Sequence, residues 1–207
     1  MDPTNCDFSP MKQTLKEELQ QVINSLQQSV DAMDTDTNCL LGDFEKIKEK
    51  FVMIEMKAAT FYLNCYLSPF TEKYPELSHS VQNMSARKHG GLIVIERKDS
   101  LKSLIQPGIH IGAEVTHSLL ETIFFPGNPL HDGAVLVSKN LIQSAANVLP
   151  LSERYVGEKK LGTRHRAALG LSEVSDALVI VVSEETGRIS FAFISLSMKI
   201  LLSKYLF

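Results

Sequence analysis

The chain has 207 residues, of which 44% are hydrophobic and 22% charged, with a formal net charge of -3 at pH 7. A chain of this length buries about 70% of its unfolded surface, enough for one ordinary domain with an appendage, and this composition excludes wholesale disorder. The acidic balance sets aside a general nucleic-acid binder, so no nucleic-acid partner is expected.

Composition changes near residue 67. Residues 1–67 hold six Lys and no Arg against eleven acids, whereas all six Arg, all six His and ten of the eleven Gly follow. The expected division is therefore an N-terminal segment, 1–67, and a main domain, 68–207. Chemistry that needs cations, imidazoles or tight turns belongs to the second part. Cys6, Cys39 and Cys65 form no CxxC pair and read as reduced, structural thiols.

Ser9-Pro10 opens a predicted helix along which Leu15, Leu19, Val22, Ile23, Leu26 and Val30 recur at helical spacing. A polar break at Asp34 to Asn38 precedes a second helix. It carries Leu40, Phe44, Ile47, Phe51, Ile54, Ala58, Phe61 and Cys65 along one side and ends at Ser68-Pro69. These helices read as an antiparallel hairpin docked on the main domain, as an oligomerisation or regulatory device, or as both. No apolar h-region follows Met1-Asp2-Pro3, and the apolar run Ala177 to Val182 is too short to span a bilayer. The expectation is a cytoplasmic protein with no membrane partner.

The second part alternates. A helix is predicted from about Thr71 to Lys88, a buried strand over Gly91 to Glu96, and another helix through Val115, Leu119 and Ile123. Ala134 to Ser138 and Leu141 to Val148 read as a hairpin about Lys139-Asn140. Ala177 to Val182 reads as a buried strand rich in β-branched residues. A turn through Glu185-Thr186-Gly187-Arg188 leads into Ile189 to Ser195, and a last helix is predicted to close the chain. This interleaving implies an α/β fold, a mixed β-sheet surrounded by helices, preceded by an N-terminal α-helical hairpin.

Three segments carry chemistry. Gly162-Thr163-Arg164-His165-Arg166 reads as a helix start with two arginines in its first turn. Cations there oppose the helix dipole by about 0.3–1 kcal/mol each, so the pattern points to a bound anion or to ion pairs with Glu153, Glu158 or Glu173. His131-Asp132-Gly133-Ala134 precedes a strand. There Gly133 permits close approach by a ligand, Asp132 can accept a proton or bind a metal, and His131 can ligate one; Asp-Gly is also an ordinary turn pair. Ser183-Glu184-Glu185-Thr186-Gly187 follows the end of a strand, where α/β sheets often hold ligands, or it is a solvated turn. No GxxxxGK[ST], GxGxxG or GxSxG motif is present. His79, His89, His110 and His117 have no spacing that indicates a zinc site.

Taken together, His131-Asp132-Gly133-Ala134, Leu149-Pro150-Leu151-Ser152, Gly162-Thr163-Arg164-His165-Arg166 and Ser183-Glu184-Glu185-Thr186-Gly187 resemble the diadenylate cyclase domain family over about residues 71–200. The two-helix N-terminus is similar to the sporulation-associated branch of that family in Bacillus-type bacteria. The resemblance implies condensation of two ATP into cyclic di-AMP with release of two diphosphates, requiring Mg²⁺ or Mn²⁺. It implies that Asp132 activates the ribose 3′-hydroxyl and that His131 and Glu185 hold the metal. Arg164, His165, Arg166 and Ser183 would hold phosphates. Gly133 and Thr163 would line the ribose and phosphate region, Ala134 and Glu184 would also bind ATP, and Leu130, Leu149 and Pro150 would flank adenine. Val148 departs from relatives that place an aromatic ring there. A cyclic product implies two facing subunits, and the N-terminal helices would set a homo-oligomer, expected to be a hexamer, that restrains the encounter. The competing readings are a non-catalytic adenine-nucleotide sensor, another adenylyl transfer, and an RNA-binding module.

Overall fold

The computed structural model describes residues 9–33, 40–153, 162–193 and 201–202. They fall into two compact units, one up to Tyr66 and one from Leu67.

The first unit holds α1 (Ser9–Met33) and most of α2 (Leu40–Leu67). Lys57 reaches Glu18, and Lys50 Nζ lies 3.4 Å from Ser25 Oγ. These pairs run antiparallel, as a helical hairpin requires. Val22, Ile54 and Leu63 are buried, but Leu19, Ile23, Leu26, Val30 and Met33 of α1 and Phe44 and Phe51 of α2 are exposed. The exposed α1 residues step by four and three alternately, the spacing of a coiled-coil seam. The polar break at 34–38 lies outside the described residues. Cys65, expected to be a free thiol, is disulfide-bonded. Pairing depends on proximity in the fold, which the spacing of three cysteines does not encode.

The second unit is built on a seven-stranded mixed sheet of order β2-β4-β3-β1-β5-β6-β7. Its elements in chain order are α3 (Tyr74–Arg87), β1 (Gly91–Glu96), β2 (Ile109–Glu114), α4 (His117–Ile123), β3 (Ala134–Ser138), β4 (Leu141–Asn147), α5 (Thr163–Val174), β5 (Leu178–Val182), β6 (Ile189–Ala192) and β7 (Leu201–Leu202). Among the described residues, only β1 and β3 pair in parallel. The expected α/β architecture is therefore present.

Alternation along the central strands assigns their faces. Leu92, Val94, Val179 and Val181 pack with Ala167, Ala168 and Leu171 of α5. Their neighbours Ile93, Ile95, Leu178 and Ile180 point to the other face and are equally buried, with Leu77, Val81 and Met84 of α3 and Leu120 and Ile123 of α4 also buried. Each such side chain contributes about 1.5–3 kcal/mol through burial. Covered faces on both sides explain the near-continuous apolar runs.

Three elements differ from expectation. α3 begins at Tyr74 rather than Thr71, because Thr71 Oγ1 and the Glu72 N–H both donate to Asn140 Oδ1 at 3.0 Å. β2 was not anticipated. It is an edge strand, mostly exposed, interrupted by a bulge and by Gly112 at φ +64°, so it lacks an apolar signature. The final helix does not extend through Leu201–Leu202, which pair with Ala192 and Phe191 as a strand. They extend the sheet beyond β6 by satisfying its outer backbone groups. The rest of that tail lies outside the described residues.

Candidate active site

A cleft of about 780 Å³ opens where the ends of β4 and β5, the start of α5 and the turn before β3 converge. Its lining includes His131, Asp132, Gly133, Leu149, Thr163, Arg164, His165, Ser183, Glu184 and Glu185. Segments separated by fifty residues in the chain are thereby brought to one place.

A one-turn 3₁₀ helix, Pro129–His131, aims the first pair. Asn128 caps it through Oδ1, which accepts the Leu130 N–H at 3.0 Å, and its carbonyl oxygen lies 2.5 Å from His131 Nδ1. Nδ1 must therefore carry the proton and donate it, which leaves the Nε2 lone pair free to ligate. Asp132 follows, exposed, with no hydrogen bond or ion pair to its carboxylate among the described residues. Gly133 has φ +124°, and a methyl group there would lie 2.8 Å from Ala146 C and from Asn147 O. Glycine is required on both counts.

Asn147, 1% exposed, locks this corner. It accepts from the Gly108 N–H at 2.9 Å and Ser144 Oγ at 2.8 Å, and donates to the Ala134 carbonyl at 2.7 Å. Sequence reasoning missed it, since a lone Asn at a strand end carries no motif. Leu92, Val181 and Leu151 were likewise unassigned, yet they join Val148 and Leu149 as apolar wall.

The α5 start has no side-chain cap and no acidic residue in its first turn. Its free N–H groups and positive dipole end face the cleft. Arg164 Nη1 donates to Glu184 Oε2 at 2.7 Å, a partner different from the three glutamates considered from sequence. Burial and then the Arg164 charge push the His165 pKa down, against the opposing pull of Glu185. Its imidazole is thus kept neutral at neutral pH.

The Ser183–Arg188 turn presents the two acids. The Ser183 N–H donates to the Arg188 carbonyl at 2.9 Å, and the Gly187 N–H donates to the Ser183 carbonyl at 2.8 Å. Gly187 sits at φ +74° against α3, whose Ser85 Oγ donates to the Gly187 carbonyl at 2.6 Å.

Four residues expected at the site do not line the cleft: Leu130, Ala134, Pro150 and Arg166. Ala134 is fully buried in the core. Arg166 lies two residues beyond Arg164, about 200° around the helix. Its Nε donates to the Ser152 carbonyl at 3.2 Å, and the Ser152 N–H returns a bond to the Arg166 carbonyl at 2.9 Å. Arg166 braces the segment after Leu149-Pro150 rather than facing the cleft.

Among the described residues, no three His, Cys, Asp or Glu side chains are grouped to hold a metal unaided. His131 and Glu185 line the same cleft, and a cation held there would have to take most of its ligands from phosphate and water.

An anion-ready helix start, an unpaired carboxylate and an apolar wall in one cleft define a nucleotide-handling α/β domain. The comparisons agree. Residues 78–195 match the family model described as DisA bacterial checkpoint controller nucleotide-binding, and residues 3–70 match that of the diadenylate cyclase CdaS N-terminal segment. The chain belongs to the diadenylate cyclase family. It is 55% identical over 161 residues to diadenylate cyclase CdaS of Bacillus thuringiensis, covering 78% of this chain and 80% of that one. It is 48% identical over 174 residues to cyclic di-AMP synthase CdaS of Bacillus subtilis, covering 84% of each. A crystal structure from Bacillus cereus, described as a hypothetical membrane spanning protein, superposes with a TM-score of 0.78 at 49% identity over 89% of this chain and 91% of that one. In the chain described here, no helix among the described residues is long and apolar enough to cross a membrane.

Proposed function

We propose that the cleft is one half of a chamber in which two ATP molecules are joined into cyclic di-AMP, two copies of the chain meeting face to face with Mg²⁺ or Mn²⁺ at each triphosphate. Diadenylate cyclisation is the family's reaction. The observation that carries its assignment to this cleft is the convergence of the unpaired Asp132 carboxylate with Arg164 and the uncapped α5 start.

In this reading Asp132 accepts the proton of a ribose 3′-hydroxyl as that oxygen bonds to the α-phosphorus of the opposite nucleotide. The bond from that phosphorus to the β-phosphate bridge breaks, and diphosphate leaves. Arg164 and the α5 N–H groups stabilise the added charge. His131 and Glu185 would hold the cation, which supplies further neutralisation when bound. Val148, 56% exposed, with Leu149 and Leu151 offers apolar contact to adenine. A cleft of about 780 Å³ suits one nucleotide. Two reciprocal bonds then need two clefts about a twofold axis. ATP as substrate puts the reaction in the cytoplasm.

Residues 1–67 restrain that encounter by holding copies in a hexamer. The exposed seam from Leu19 to Met33 supports this. The main test is product analysis. Incubation with ATP and either cation yields cyclic di-AMP, at a rate per subunit that depends on assembly, while Asp132→Asn binds ATP without turning it over. Any other product from ATP, or full turnover by Asp132→Asn, refutes the reading; binding without turnover by the unaltered chain would favour a sensor.

A further inference from the structure

Gly90 lies just before β1 and belongs to none of the motifs read above. Its backbone does not need glycine, since its φ lies outside the left-handed region. What a side chain at this position would meet is the Arg164 guanidinium, which would have to move aside. A methyl group on Gly90 would lie 2.7 Å from Arg164 Nη1, 2.9 Å from Arg164 Cζ and 2.9 Å from Glu184 Cβ. Such contacts are closer than non-bonded carbon and nitrogen tolerate. The guanidinium therefore occupies the space over Gly90, with Glu184 holding one of its nitrogens at 2.7 Å.

The three residues come together because β1 pairs antiparallel with β5, Gly91 opposite Val182. That register sets Gly90 beside the Ser183-Glu184 turn, and α5 delivers Arg164 from the other side. An arginine on a helix start would otherwise sample several rotamers, and its own dipole end repels it. Seated this way, the guanidinium of a residue that lines the cleft is bounded by Gly90 on one side and tied at one nitrogen by Glu184.

We infer that Gly90 and Glu184 are positioning residues: together they form a seat that fixes the Arg164 guanidinium before the triphosphate arrives. The inference rests on the reading of Arg164 as a phosphate ligand. Glu184 acts through Arg164 and not as a direct nucleotide contact. The seat is a preorganised donor, effective because it does not have to be rearranged during the reaction.

The test is a set of double-mutant cycles on the full chain, reading kcat and KM for ATP and the Kd of a non-hydrolysable ATP analogue. Gly90→Ala lowers kcat/KM about tenfold or more, and Glu184→Gln lowers it about threefold to tenfold, with Glu184→Asp partly restoring it. In an Arg164→Ala background each change alters kcat/KM and Kd less than twofold, which a merely structural effect would not do. Equal losses with and without Arg164 overturn the inference. So does a lower KM in Glu184→Gln, which would make Glu184 a competitor that ATP displaces. Failure of the underlying reading looks different: Arg164→Ala itself then leaves analogue binding and turnover unchanged.

Discussion

Arg164 and Arg166 stand on opposite faces of one helix. Arg164 donates to Glu184 at 2.7 Å beside the cleft, and Arg166 donates to the Ser152 carbonyl at 3.2 Å away from it. Two successive steps of 100° produce this split, so the two side chains leave the helix on different sides. Substitution should separate their roles. Arg164→Ala is expected to cut kcat/KM by a hundredfold or more with little change in thermal midpoint. Arg166→Ala should instead remove about 1.5–3 kcal/mol of stability, the usual worth of a hydrogen bond from a charged donor. Its kinetic defect should be smaller and follow loosening of the Leu149–Ser152 segment. Denaturant titration and steady-state rates on the same samples check both.

Gly133 gives a sharper structural test. An added methyl there meets backbone atoms of Ala146 and Asn147 at 2.8 Å, and the residue also holds φ +124°. Backbone cannot move aside as a side-chain tip can. Gly133→Ala is expected to cost about 1–3 kcal/mol, through strain at a backbone angle that side chains avoid. It should also shift Asp132, so turnover falls more than the folded fraction does. Melting curves and rates measured well below the midpoint distinguish the two effects.

Much of the site was legible because its residues lie in short runs bounded by glycines and strand ends. His131 to Gly133, Thr163 to His165 and Ser183 to Glu185 all line the cleft. The direction of Arg166 was not legible, since adjacent letters in a motif say nothing of helical phase until the helix start is fixed. Asn147 and Gly90 were missed for a related reason. One works by filling a buried hydrogen-bond corner and the other by having no side chain, and neither role has a sequence pattern. β2 escaped notice because an exposed edge with a glycine bulge shows no alternating apolar face. The central strands were plain because both of their faces are covered.

The lowered pKa of His165 has a signed consequence. Burial is its first cause, the Arg164 charge its second, and Glu185 opposes both. The unfolded chain then binds a proton at about pH 6.5, the ordinary histidine value, where the folded chain does not. The contribution to stability is full above that pH and is lost as the pH falls toward the folded-state value. His165→Gln should flatten the stability profile of the protein over this acid range and leave it unchanged at pH 8. Chemical denaturation at closely spaced pH values measures the slope. A profile that steepens in the variant would contradict the assignment.

The exposed seam of α1 bears on restraint. Ile23 and Leu26 lie at its centre, both exposed in the single chain, and neither is near the cleft residues in sequence. If the seam holds copies together with active faces apart, Ile23→Glu with Leu26→Glu should lower the assembly's mass. It should also raise cyclic di-AMP formation per subunit severalfold. Light scattering and product assay on one preparation check this. Smaller assemblies with an unchanged rate would detach oligomerisation from control.

Reciprocal chemistry makes the last prediction. In the facing pair proposed above, each Asp132 would serve the 3′-hydroxyl of its own nucleotide, and that oxygen would attack the phosphorus held by the other subunit. Consider a pair of one unaltered chain and one Asp132→Asn chain. The unaltered side forms one bond and releases one diphosphate. The second closure needs the missing carboxylate, so a linear triphosphate-bearing dinucleotide should accumulate. Mixing the two proteins under conditions that exchange subunits, then weighing the products, tests this directly. The linear species should peak near equal proportions, and diphosphate should approach one per dinucleotide in that fraction. Cyclic product falling simply in proportion to the unaltered chain, with no linear species, would mean that each subunit completes both bonds alone. The facing-site mechanism would then be wrong even though the product is the same.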